Sequence, residues 1–416
     1  MFRHGSLRGR SLRAAVVVVS ALALVGLASC GGTPNTSAGS SSAGPTATEP
    51  TSVSTSVSTA PTPAEWNRIA PAPVSSNYYP PAEAVWDGHE MLMVVNQADP
   101  ETFCKESVLS YDPSSGAWRV LSEVPKPKGC FEGRDRAVWD GHELLLWGIS
   151  NTAYNPTTDT WRHLPGGPSG GGPSVVVWTG TQMIGWGGGC CDQESADGSA
   201  YTPATNSWRT LPPSPLLGRH AAGVWTGSEM IIAGGEGRDA HGNPTHFADA
   251  AAYDPATRTW RKLPPMPIAR GGGYYTVNYA AVWDGTEMLV VGGTTTGSTQ
   301  PIARGVAFDP STDRWRWLAP MQYPRTGFVA EWAGNQLVVW GGVGENGVIP
   351  PNGETYAPLT DTWSALPQAP LRARVDASAV WSGGQVLIWG GHDARTLDAN
   401  RVKTVTDGAA LTPASG

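Results

Sequence analysis

Seven times along the chain, two apolar runs rich in β-branched and aromatic residues flank a short polar break that carries glycine. The copies read VWDGHEML, VWDGHELL, VWTGTQMI, VWTGSEMI, VWDGTEML, EWAGNQLV and VWSGGQVL. Their tryptophans are Trp86, Trp139, Trp178, Trp225, Trp283, Trp332 and Trp381, about 49 residues apart on average. A glycine stands two residues after each Trp. Glycine accepts the positive φ of a tight hairpin turn, so each copy predicts two antiparallel strands. The second run closes on Gly-Gly at 187–188, 234–235, 292–293, 341–342 and 390–391, whereas the first two copies end in Val95-Asn96 and Gly148-Ile149.

A second pattern lies between these phrases: an aromatic residue, a polar turn, then a Trp seven positions on. The pairs are Tyr111/Trp118, Tyr154/Trp161, Tyr201/Trp208, Tyr253/Trp260, Phe308/Trp315 and Tyr356/Trp363. A second hairpin gives each repeat four antiparallel strands, a to d, which is one blade of a β-propeller. Trp147, Trp186, Trp340 and Trp389 sit eight residues after a first-hairpin Trp, and only Trp317 stands outside the scheme. Large rings at fixed places in a repeat predict packing between blades rather than a sugar-binding surface.

The repeats leave two loose ends. The Trp of the last repeat would fall beyond Gly416, while Trp66, in PTPAEWNRIAPAP, has Thr59 where its aromatic partner belongs. The two deficits are complementary. Ala64 to Ala70 is expected to pair with the strand around Asp407 to Leu411, supplying strand d of the seventh blade and removing an open edge.

The double glycines, the Tyr-x-Pro phrase and the Trp-x-x-Leu-Pro phrase, repeated in this order, resemble the kelch-repeat β-propellers across residues 64–416. The resemblance implies an all-β, seven-bladed fold. In such a fold the b–c loops and d–a connections open on one face. Here they differ in length, from nearly nothing in blade 2 to 236–250 in blade 4 and 392–408 in blade 7. Uneven loops on a rigid scaffold are where binding resides.

Three groups on that face are candidates. Arginines enter strand a in five blades: Arg134 or Arg136, Arg219, Arg270, Arg325, and Arg372 or Arg374. They suit a clamp on carboxylate or phosphate, or else each pairs with an acidic neighbour. His220, Asp239, His241 and His246 combine imidazole with carboxylate and are weak candidates for a divalent metal, although their spacing matches no metal motif. Cys104 and Cys130 are expected to form a disulfide, and the adjacent Cys190 and Cys191 could form a vicinal one.

The first 30 residues have the anatomy of a secretory leader. Arg3, Arg8, Arg10 and Arg13 precede an apolar stretch from Ala14 to Ala28, too short to cross a bilayer. The leader ends in LASC, which looks like the lipobox of bacterial lipoproteins and implies cleavage before Cys30, lipidation of that cysteine and attachment to the outer face of a membrane. Residues 31–63 carry a single charge, Glu49, among Ser, Thr, Pro, Ala, Gly and Val; such a segment is expected to remain an extended tether. Without the leader arginines, 24 basic residues face 35 acidic ones, a net charge near −11. With no basic stripe, nucleic acid is not an expected partner.

The expected function is that of a monomeric, surface-tethered interaction module that takes a protein, peptide or glycan on its b–c and d–a loops, with no catalytic residue and no cofactor. The alternative is an extracellular carbohydrate-active enzyme. Resemblance to the galactose-oxidase-like kelch propellers would imply a copper centre of Tyr, His and a Tyr–Cys thioether, but those ligands have no residue-by-residue match here. Sialate mutarotases or epimerases share the fold by analogy only.

Overall fold

A computed structural model describes residues 62–74, 83–97, 105–125, 135–168, 172–190, 193–269, 279–295, 298, 300–393 and 405–414. These residues form seven antiparallel blade sheets, each in the order a-b-c-d, six of them four-stranded and that of blade 4 with a fifth strand paired to strand b. Blade 1 comprises Glu83–Trp86, Met91–Gln97, Lys105–Asp112 and Ala117–Glu123, and blade 4 comprises Arg219–Trp225, Met230–Arg238, Ala250–Asp254 and Thr259–Leu263. Strand a of each blade lies against strand a of the next, and that of blade 7 against that of blade 1. The ring is therefore closed.

Blade 7 is built from both ends of the described chain. Ser378–Trp381, Val386–Trp389 and Gly408–Thr412 supply strands a to c, and Glu65–Ile69 supplies strand d. The register runs from Glu65 opposite Thr412 to Ile69 opposite Gly408. The closing strand expected from the unmatched Trp66 is present, within a residue of the expected ends.

The a–b turns are wider than a two-residue hairpin in six blades. In blade 1 the ladder ends at Trp86 opposite Met91, and Asp87 Oδ1 accepts the amides of His89 and Glu90 at 2.7 and 2.6 Å. Asp, Thr or Ser follows the Trp in six copies, and such short side chains hold turns by bonding amides two or three residues on. Blade 6 has Ala333 there. Without that acceptor the ladder runs one pair further, Ala333 opposite Gln336, and leaves a two-residue turn with Gly334 at φ 72°.

The cores lie between blades. Ile69, Ala72, Met91, Met93 and Val95 pack on Val380, Leu387, Trp389 and Ala410 where blades 7 and 1 meet. The four additional tryptophans each meet the strand-d Trp of the following blade: Trp147 with Trp208, Trp186 with Trp260, Trp340 with Trp66 and Trp389 with Trp118, at centroid distances of 4.7 to 6.4 Å. Such ring pairs contribute roughly 0.5–1.5 kcal/mol beyond the area they bury. The strand-d indole also reaches back, as Trp118 Nε1 donates to Ala70 O at 2.7 Å and Trp66 Nε1 to Pro367 O at 3.0 Å. The tryptophan richness is used between blades, as the repeat positions predict.

Candidate functional site

The loop face begins where strand b leaves the ladder. Three arginines there share one geometry. Nε of Arg219, Arg325 and Arg374 donates to the carbonyl two residues earlier, at 2.8, 3.0 and 3.2 Å. Nη1 donates to the first glycine of the double-glycine pair: Gly234 O at 3.4 Å, Gly341 O at 3.2 Å and Gly390 O at 3.1 Å. A carboxylate at the start of strand c completes each set: Asp249, then Glu354 at 2.8 Å, then Asp407 at 3.0 Å. The three arginine side chains are at most 2% exposed. Burial pulls the Arg325 and Arg374 guanidiniums below their ordinary value, and Glu354 and Asp407 oppose it.

This geometry explains the double glycine. Gly341 has φ 77°, which takes its carbonyl out of the b–c ladder towards Arg325, and a Cβ there would lie 2.6 Å from Arg374 O. Arg136 works differently because blade 2 lacks the glycine pair. Its Nη1 meets Glu83 at 2.6 Å, while Nε and Nη2 donate to Pro173 O and Ser174 O, so one side chain straps blades 1, 2 and 3 together. Of the expected arginine clamp, Arg219, Arg325 and Arg374 thus follow the pairing alternative, with their guanidiniums turned inward onto acidic neighbours and backbone carbonyls. Arg372 is the exposed one, 3.5 Å from Asp393. Arg134 and Arg270 lie outside the described residues, as do Cys30, Cys104, Cys130 and Cys191. Cys190 falls in the two-residue strand Gly189–Cys190, paired with Gln193–Glu194.

A concave feature among the described residues of this face lies between blades 3 and 4. In blade 4 strand b continues to Arg238, and Pro244–His246 folds back on it, with Glu236 opposite His246. The resulting hairpin and the neighbouring blade form a small, half-open cleft of about 40 Å³, lined by Glu194, His220, Glu236, Arg238, Thr245 and His246. His246 Nε2 stands 4.0 Å from Glu236 Oε2. Asp239 and His241 do not join them. They form the exposed hairpin tip, where Asp239 accepts the amides of Asn243 and His241 at 2.8 and 2.9 Å and is thereby held below the usual carboxylate range. The structure brings together two of the four metal candidates. Among the described residues no group of three or more His, Cys, Asp or Glu is placed to hold a metal ion.

The opposite face, formed by the a–b and c–d turns, carries a network that the sequence reading missed. Arg162 pairs with Glu143 at 3.0 Å and donates to Tyr201 OH of the next blade at 3.0 Å. Arg316 repeats this with Glu287 at 2.8 Å and Tyr356 at 3.3 Å, and Arg209 with Gln182 at 3.2 Å and Tyr253 at 2.9 Å. Arg261 binds Glu229 at 2.9 Å, but the next blade has Phe308, so its second partner is Asp313 at 2.6 Å. The signal was present: Arg follows the second-hairpin Trp in five copies, and Glu or Gln stands four residues after every first-hairpin Trp.

No protein-family model matches the chain. It is similar to an F-box/kelch-repeat protein of Arabidopsis thaliana, 30% identical over 140 residues that make up 31% of this chain and 36% of the relative. It is also similar to F-box protein AFR of the same plant, 31% identical over 133 residues, 31% of this chain and 34% of that protein. The chain thus spans about a third of the length of these curated relatives. Seven blades and repeat similarity to kelch-repeat proteins together support a kelch-type β-propeller.

Proposed function

We propose that this propeller is an interaction module that engages a protein, peptide or glycan through its b–c and d–a loops, at the cleft between blades 3 and 4. The observation that carries the reading is the uneven loop face. Six blades are four-stranded sheets, whereas in blade 4 strand b runs unbroken to Arg238 and takes Pro244–His246 as a fifth strand, and that hairpin walls the cleft. Similarity to an F-box/kelch-repeat protein supports the same class of function.

The position of the chain entry suits a tethered module. Glu65 pairs with Thr412 at the turn face, so the segment before it leaves from the side opposite the loops. With Cys30 lipidated, as LASC leads us to propose, the tether would join the propeller on the side opposite the loops and leave the loop face unobstructed.

The test compares two variants of the full chain by glycan array and by binding to isolated cell-envelope proteins. One replaces Asp239–Asn243 with a two-residue Asn-Gly turn and changes His246→Ala; the other changes Arg258→Ala and Arg314→Ala on the turn face. Loss of binding in the first alone, with an unchanged melting temperature, is the expected result. Loss only in the second would overturn the reading.

A further inference from the structure

One residue breaks the repeat at a buried position. The residue before the first-hairpin Trp is Val85, Val138, Val177, Val224, Val282 and Val380 in six blades and Glu331 in blade 6. Five of those valines are at most 5% exposed. Glu331 is equally enclosed, at 2%. It shares its strand face with Val329 and Ala333, which belong to the apolar core between blades 6 and 7. The Trp381 amide of blade 7 donates to its carboxyl group, and Oε2 meets no hydrogen-bond partner among the described residues.

The strands packed on Thr326–Ala333 offer it no counter-charge. Gln336–Val343 of its own blade and Ser378–Trp381 of blade 7 hold no ionisable side chain. Tyr279–Trp283 of blade 5 contributes Tyr279, whose hydroxyl donates to Ala233 O, and Arg374–Val375 contributes Arg374, which is bonded to Asp407. The closing strand spans the same seam: Trp66 packs on Trp340, and Arg68 reaches Pro370 O.

We propose that Glu331 makes the seam between blades 6 and 7 a pH-sensitive joint: a rise from weakly acidic to weakly alkaline surroundings loosens blade 7 and its hold on the closing strand Glu65–Ile69, because opening the seam lets Glu331 ionise in water. The physical cause is that a carboxylate in an apolar seam has lost its hydration and gained a single amide in return. Burial accordingly lifts its pKa from 4.5 to about 8. The sign follows from linkage. Between these values the closed seam keeps a proton that an opened, hydrated Glu331 has released, so stability falls as pH rises through the window and levels off above it. Within it the opening equilibrium rises by up to about tenfold per pH unit.

Hydrogen exchange on the full chain, corrected for intrinsic rates, reads this directly. Between about pH 5.5 and about pH 8 the amides of 378–381 and 65–69 should lose protection by about a hundredfold relative to those of blades 3 and 4. Glu331→Val, which installs the residue of the other six blades, and Glu331→Gln, which keeps an acceptor for Trp381, should both abolish that differential loss. An equal pH dependence in all three proteins, or none in the parent, would overturn the proposal.

Discussion

Replacing Arg325 by Met tests whether the strand-a arginines hold the propeller together or await a ligand. Arg325 is fully enclosed and donates four hydrogen bonds, to Tyr323 O, Gly341 O, Asn352 O and Glu354 at 2.8 to 3.2 Å. Its partner Glu354 is 1% exposed and retains only the Gln322 and Tyr323 amides, at 2.8 and 3.2 Å. Methionine fills most of the volume but strands a carboxylate and three carbonyls. Removing one partner of a buried ion pair costs about 3–5 kcal/mol. In a ring of this size that corresponds to a fall in melting temperature on the order of 5–10 °C by calorimetry. The double variant Arg325→Met, Glu354→Leu should recover part of the loss, because the stranded charge goes with it. A coupling above about 1 kcal/mol in the cycle is expected of groups in direct contact. A melting temperature within about 1 °C of the parent for Arg325→Met, together with weakened binding of an anionic ligand, would refute the argument.

Two further outcomes follow from the repeats. Deleting residues 64–73 removes strand d of blade 7, Ile69 and Ala72 from the adjoining core, and the Trp66 contact with Trp340. Chemical denaturation should then show a lower midpoint and a first transition confined to blades 6, 7 and 1, and an unchanged curve would mean that the strand does not close the ring. Phe308→Tyr restores the hydroxyl that Arg209 and Arg316 each find on the following blade, so it should stabilise by about 0.5–1 kcal/mol if the hydroxyl reaches Arg261; destabilisation in a thermal melt would show that Asp313 already satisfies that arginine.

Blade count and hairpin positions were legible because each depends on residues close in sequence and repeated seven times. Trp66 without its aromatic partner announced a displaced strand by itself. Partners drawn from separate strands were harder to read. Arg219, Arg325 and Arg374 stood out as a series, but their carboxylates lie 29 to 33 residues further on, across loops of different length. His220 and His246 could be gathered with Asp239 and His241 by proximity in the chain; only the folding back of Pro244–His246 onto strand b separates cleft from tip. Glu331 was printed in EWAGNQLV as an evident departure from Val, yet its significance lies in what blade 7 places against it.

The way blade 7 is completed also fixes how the ring carries mechanical load. Strand Glu65–Ile69 enters at the turn face and runs along its partner Gly408–Thr412. A pull on the chain ahead of Glu65, directed away from that face, acts along the strand axis. It therefore shears all five residue pairs at once instead of peeling them in sequence, and Trp66 and Arg68, bonded to Pro367 and Pro370, pass part of the force to blade 6. A ring fastened in this manner resists tension from the chain ahead of Glu65 far better than tension applied sideways at the same strand.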